Sequence, residues 1–373
     1  MLPSDSKIYC GHTSLAIRDI REGSRIVASS GWGDTSDTFV KDVFINYVTN
    51  SPLLQITTSR GAVLKCTPDQ LCFGRYNPSI RMYSLYLHER SSLGYRIGLC
   101  SDIFTEAIEM VRANHTVDGR RRSVDNIWII ENNPNLTNST FIHKLAMAKY
   151  GLPDIPFDAN YKTSELNDKL IKELFNRIDT PVGAKELLRD SNMYIEYPHI
   201  TLKFSDLDNP RSNSVQFVIF GGKDKTVSGH YFHLIQVQGV QDPNRSEQMK
   251  NARRQRSEHG LWFVEITKED LEEAELVVKT FSNLDDLEVV KRIQLTKKSP
   301  YYIMPASHLK RGMLVPILNS KGVIEEQTVD KIELFEYKGS LYDLQVNELH
   351  NFIAGQWVVM CYTPSSRPKP SYI

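Results

Sequence analysis

Short stretches of alternating apolar and polar residues dominate both ends of this chain, whereas helical periodicity is confined to its middle. Near the start, Leu53–Thr58 and Ala62–Thr67 flank Ser59-Arg60-Gly61 and predict a hairpin. Toward the end, Met313–Leu318, Thr328–Tyr337, Ser340–Val346 and Gln356–Met360 read as strands. They are separated by Asn319-Ser320-Lys321-Gly322, Lys338-Gly339 and Asn347-Glu348-Leu349, residues that favour turns.

In the middle, Ser164–Ile178 sets Leu166, Leu170, Ile171, Leu174, Phe175 and Ile178 at helical spacing. Asp179-Thr180-Pro181 stops that helix and starts another, Val182–Arg189. A helix is also predicted over Thr140–Tyr150. Thr267 with Asp270 three positions on reads as a capping box opening a helix that runs to Phe281. Strands expected at Ile195–Phe204, Val215–Phe220, Tyr231–Val237, Leu261–Ile266 and Leu287–Leu295 make this region α+β. The last stretch, Thr363–Ile373, carries three prolines and is expected to be disordered.

At 373 residues the chain has room for two or three domains. Lys+Arg and Asp+Glu both number 45, so no net charge draws it to nucleic acid or to a membrane, and such binding needs a local patch. No apolar run is long enough to span a bilayer, and no membrane partner is expected. The five cysteines, Cys10, Cys66, Cys72, Cys100 and Cys361, are odd in number and lack metal-site spacing. They point to a reduced, cytoplasmic setting with no metal and no cofactor.

Four segments taken in order carry more information than any one motif. They are Cys10-Gly11-His12-Thr13 with Asp19-Ile20-Arg21-Glu22-Gly23-Ser24-Arg25-Ile26; Gly61 to Gln70, containing Thr67-Pro68-Asp69-Gln70; Pro305 to Val315; and the end, Leu341-Tyr342-Asp343-Leu344-Gln345-Val346, His350-Asn351-Phe352-Ile353-Ala354-Gly355 and Trp357 to Cys361. Together they resemble the Hint (hedgehog/intein) family of self-processing proteins, and most closely inteins of superfamily I DNA helicases. The resemblance implies a mainly β Hint horseshoe formed by the two chain ends and interrupted by an α+β insertion. The expected division is 8–76 for the first half, 77–299 for the insertion, 300–362 for the second half and 363–373 for the tail. Relative to the family, residues between Cys10 and Asp19 are missing, which would remove most of a hairpin.

The resemblance also implies a chemistry. The first nucleophile would be Cys10, attacking the Tyr9 carbonyl, although a small buried core cysteine reads equally well. Thr67 would orient the scissile amide. Gln70 stands where the family has a histidine, and a carboxamide donates a hydrogen bond but no proton near neutrality. Losing general-acid help costs roughly 10²–10⁴-fold in rate. Asp343 and His350 would move protons between the two cleavage sites, or simply cap a turn and bond to backbone. Met360 and Cys361 replace the family's terminal His-Asn, and a thiol cannot form a succinimide. The substrate implied is the chain's own flanking peptide, with full splicing lost and a shift at Cys10 retained.

The insertion offers an alternative, a DNA-binding or homing-endonuclease-like module on an inactive scaffold. Tyr83-Ser84-Leu85-Tyr86 and Tyr95-Arg96-Ile97-Gly98 resemble the paired strands of GIY-YIG endonucleases, a pattern that Arg120-Arg121-Arg122 fits loosely, while the basic stretch 250–256 reads as a solvated loop or as a contact to DNA phosphates. The position where a metal-binding Glu is expected holds His143.

Overall fold

The computed structural model describes residues 1–103, 125–157, 166–201, 214–223, 231–240, 253–256, 262–285 and 288–361. The expected tail 363–373, Arg120-Arg121-Arg122 and residues 250–252 lie outside the described residues. The chain is mainly β, with 51% strand and 19% helix in two sheets. It forms two compact units. Of the described residues, the first takes those within 1–76, 207–306 and 313–361, and the second those within 77–206 and 307–312. The stretch 77–299, expected as one insertion, is thus shared between the units at residue 206.

The first unit opens with β1 (Leu2–Pro3), then the hairpin β2 (Lys7–Tyr9) and β3 (Ser14–Ala16), paired Lys7↔Ala16, Ile8↔Leu15 and Tyr9↔Ser14. The hairpin expected to be missing is therefore present, with Cys10 and Gly11 (φ 85°) at its turn. β4 (Arg25–Gly31) turns back into β5 (Asp34–Thr58), far longer than the strand expected from residue 53 onward. Val, Ile, Thr, Phe and Tyr fill β5, residues that suit a pleated surface. β6 (Val63–Cys66) and β7 (Leu71–Gly74) follow.

The second unit contains β8 (Tyr83–Arg90), β9 (Gly94–Cys100), β10 (Asn126–Asn133) and the short β11 (Ile200–Thr201), with β8 paired to both β9 and β10. Among the described residues three helices accompany the sheet: α1 (Leu136–Tyr150), α2 (Asp168–Arg177) and α3 (Thr180–Asp190). Each begins on a side-chain cap, from Asn135, Asn167 and Asp179 respectively. Leu85, Leu87, Ile97, Trp128, Leu187 and Leu188 share its core. Of the strand expected at Ile195–Phe204, the described part forms only β11, while His199 and His308 turn inward to bond main chain.

The first unit resumes with β12 (Ser214–Lys223), β13 (Tyr231–Val240), β14 (Arg253–Arg256), β15 (Trp262–Lys268), α4 (Leu271–Asp285) and β16 (Glu288–Ile293). The cap of α4 is Asp270, which accepts from the Glu273 amide at 2.8 Å; Thr267, expected to open the helix, lies inside β15. Last come β17 (Tyr301–Pro305), β18 (Leu314–Leu318), β19 (Ile324–Val346), β20 (Asn351–Ala354) and β21 (Trp357–Met360). The turn expected at Lys338-Gly339 is instead a register shift within one 23-residue strand, β19, where Gly339 adopts φ 149°. β19 pairs antiparallel with β5 from Val329↔Thr58 to Val346↔Val40.

Two predictions follow from the second unit. A Cβ built on Gly98 falls 2.3 Å from Tyr86 Cζ, so the tyrosine ring occupies the space the glycine leaves. Gly98→Ala should destabilise this unit by about 1–3 kcal/mol through overpacking, seen as a lower urea midpoint; an unchanged midpoint would contradict the packing.

Burial also drives the imidazoles of His88 and His308 well below their ordinary range and takes His199 to about 3. The unfolded chain binds protons below about pH 6.5 that these rings refuse while folded. Stability is therefore complete above that pH and falls as the pH drops toward 3, by up to ~1.4 kcal/mol per pH unit for each ring. Unfolding midpoints taken between about pH 7 and about pH 4 measure this, and a flat profile would refute it.

Candidate functional site

One buried polar cluster in the first unit gathers most of the expected site residues. It is built on the turn that joins β6 to β7. Pro68 presets the backbone angle, and the Gln70 amide closes the turn on the Thr67 carbonyl at 3.1 Å. β1 is brought in by pairing Leu2↔Tyr342 and Pro3↔Leu341 with β19. As a result the Thr67 amide donates to the Met1 carbonyl at 2.9 Å, and the nitrogen of residue 1 donates to Thr67 Oγ1 at 2.7 Å. One residue past that pairing, Asp343 holds its carboxylate 4.0 Å from the same nitrogen. Met1, Thr67 and Asp343 are all buried.

Gln70 forms the opposite wall. Its Nε2 donates to the Met360 carbonyl at 2.9 Å and to the Leu71 carbonyl at 3.2 Å, while Oε1 is buried with no partner among the described residues. Two acceptors on the nitrogen side fix which way the carboxamide points. Cys361 lies beyond, its amide donating to the His350 carbonyl at 3.1 Å. Burial pushes the Cys361 thiol up to about 12, and the Asp343 charge adds to the rise. The Cys72 thiol is also raised well above its ordinary range, first by a hydrogen bond with Cys66 and then by burial. Both thiols are thus protonated at neutral pH and poor as nucleophiles.

The structure therefore brings Thr67, Gln70, Asp343 and Cys361 together around the nitrogen of residue 1. Two expected residues sit differently. His350, at φ 53°, reaches the cluster only through its main-chain carbonyl. Its ring is surrounded by charge from Glu275, Lys291, Glu272 and Asp270 beside α4, and burial lowers its pKa. Cys10 lies in the β2–β3 turn, where its thiol donates to the Ile8 carbonyl at 3.5 Å and its amide to the Thr13 carbonyl at 2.8 Å. It is half-buried, and burial raises its thiol.

Two participants were not singled out from the sequence as site residues, Met1 and Asn351. Met1 carried no signal of its own, since a methionine offers no reactive group. Asn351 braces the segment leading to Cys361: Oδ1 accepts from the Ser29 amide at 2.8 Å, and Nδ2 donates to the Ser29 and Leu349 carbonyls at 2.9 and 2.7 Å. The side chain is fully buried and ties β20 to β4. Its position directly after His350 in an apolar strand was the available hint.

The second unit holds another buried polar group. Arg96 lies on Tyr86 and Phe157, donating to Tyr86 Oη at 3.0 Å, His88 Nδ1 at 3.2 Å and the Asp154 carbonyl at 3.3 Å. Tyr86 pairs across the strands with Gly98. Tyr86, His88, Arg96 and Phe157 are all buried, an arrangement that packs a core and leaves no open face for a phosphate. His143, at the expected glutamate position, is buried as well.

Among the described residues no helix is long and apolar enough to cross a membrane, and no three His, Cys, Asp or Glu side chains are arranged to hold a metal ion. No known protein family and no curated protein matches the chain.

Asn351→Ala should cost at least about 2 kcal/mol of stability, because three main-chain groups lose their partner in a dry interior. Chemical denaturation of the variant measures this; a loss under about 0.5 kcal/mol would show that water replaces the amide.

Proposed function

We propose that this chain is a Hint-type, intein-like self-processing module whose centre is the cluster of residue 1, Thr67, Gln70, Asp343, Met360 and Cys361. The observation that carries the reading is the 2.7 Å bond between Thr67 Oγ1 and the nitrogen of residue 1, with Asp343 close by and the 360–361 peptide on the other side of Gln70. In a splicing reaction both cleavage points must lie within reach of one set of donors, and here two distant parts of the chain meet in one water-poor site. The horseshoe outline and the descent from helicase inteins belong to this proposal.

On this reading residue 1, rather than Cys10, takes the place of the first nucleophile. It also accounts for the apparent shortage of residues between Cys10 and Asp19, because counting from residue 1 restores the β2–β3 hairpin. The hydrogen bonds of Cys10 run to main chain of its own hairpin, its thiol to the Ile8 carbonyl and its amide to the Thr13 carbonyl. A methionine thioether cannot accept an acyl group to give a neutral thioester, so the first step is closed at residue 1. Gln70 supplies no proton, and Cys361 cannot cyclise as asparagine does. The module keeps the positioning of the family and lacks the groups for ligation. The DNA-binding alternative gains nothing from the buried Tyr86–Arg96 packing.

The test restores what is missing. Placed between two soluble tags, the chain as it stands should give no ligated product. Tyr362 offers a phenol at the position where the family has a Cys, Ser or Thr to receive the acyl group. Met1→Cys, Gln70→His, Met360→His, Cys361→Asn and Tyr362→Cys together should yield tag-to-tag ligation, or cleavage at one junction, on denaturing gels. A folded quintuple variant that stays intact at both junctions would overturn the proposal.

A further inference from the structure

We propose that Met360–Cys361 is itself a self-cleavage site: Cys361 Sγ attacks the Met360 carbonyl carbon, Gln70 Nε2–H steadies the oxygen, and the peptide bond becomes a thioester. The inference rests on the reading of this cluster as a processing centre and adds an activity to it, one that needs neither residue 1 nor an asparagine.

Geometry at the carbonyl carries the argument. Gln70 Nε2 donates to Met360 O at 2.9 Å in the resting chain, so a neutral donor already faces the oxygen that would take up charge. The second N–H of the same carboxamide is held by the Leu71 carbonyl, so the donor is fixed before the reaction begins. Gln70 is only 3% exposed, and its hydrogen bond acts in a medium where charge is weakly screened. An independent sign is Gln70 Oε1, a buried acceptor with no donor among the described residues. The amine released at residue 361 is a donor of the kind that this oxygen lacks.

The atoms balance without any outside oxidant or acid. The S–C bond forms as the C–N bond breaks, through a five-membered ring that keeps the thiol close to its own preceding carbonyl. The thiol proton passes to the departing nitrogen, which becomes the α-amine of Cys361. Burial keeps that proton on the sulfur at neutral pH, which slows the attack but supplies the proton the nitrogen requires. The nitrogen's own N–H is anchored on the His350 carbonyl at 3.1 Å, so the leaving group is held in place. The thioester is then opened by water, leaving a carboxylate on Met360, or by a second thiol, which takes over the acyl group and frees the segment that begins at Cys361.

The full chain, incubated near neutral pH with mercaptoethanesulfonate and followed by intact mass, should lose the fragment Cys361–Ile373 and gain one thioester-bound sulfonate on Met360. Hydroxylamine should release the same fragment and leave a hydroxamate. Cys361→Ala should abolish release while keeping the urea midpoint, and Gln70→Leu should slow it roughly 10²–10³-fold, the usual cost of one oxyanion donor. Because Gln70→Leu also removes main-chain hydrogen bonds, Cys361→Ser provides a second check: slower release through an ester that hydroxylamine still captures. An intact wild-type chain after several days with both nucleophiles would overturn the proposal, as would equal cleavage in Cys361→Ala. If the restored quintuple variant processes its junctions while the wild-type chain releases nothing, this inference falls and the Hint reading stands.

Discussion

The antiparallel pairing of β5 with β19 is the interaction on which the rest of the first unit depends. It joins residues 40–58 to residues 329–346, segments from opposite ends of the sequence. Closing so long a loop costs little more than closing a moderate one, because the entropy grows only with the logarithm of length. The return is a continuous hydrogen-bonded ladder with Phe44, Val48, Phe335 and Tyr337 packed around Met1, Leu53 and Leu341. Register matters as much as pairing. A slip of one residue would turn every side chain of β19 to the other face, moving Asp343 away from the nitrogen of residue 1. β1 docks on the same strand, so the position of the first residue is inherited from this ladder.

The cluster that results is rich in hydrogen bonds and poor in proton carriers. Thr67 and Gln70 offer neutral donors and acceptors, and the thiols of Cys72 and Cys361 are driven away from ionisation. The one imidazole nearby in sequence, on His350, is turned toward the charges of α4 and contributes only its carbonyl. Such a site holds peptide groups in position far better than it moves protons between them. That contrast explains why the proposed chemistry is an acyl shift driven by proximity and one oxyanion donor, with no general acid in any role.

In the second unit the same physics serves packing. Tyr86, Arg96 and His88 form a hydrogen-bonded internal group over Phe157, and Gly98 leaves the room that the Tyr86 ring fills. The Tyr86–Gly98 pair lies within the strand pair that resembles an endonuclease motif, and here it makes a packing contact. His199 and His308 are likewise consumed in main-chain bonds, with Tyr194 donating to one ring and the Ile129 amide to the other.

Local chemistry made much of the architecture legible in advance. Alternation marked both ends as β, and apolar spacing marked the helices that form over 168–177 and 180–190. These are properties of neighbouring residues, and periodicity or turn propensity reports them directly. The sequence also showed which groups were chemically absent, since a glutamine, a methionine and a cysteine keep their limits in any fold. What only the tertiary structure decided was partnership. The length of β5 and the conversion of the Lys338-Gly339 turn into a bulge depend on pairing between segments hundreds of residues apart, and the charges acting on the His350 ring come from residues 270–291. The part played by Met1 is the clearest case: its nitrogen matters because β19 holds it against Thr67, and no property of the methionine side chain could have revealed that.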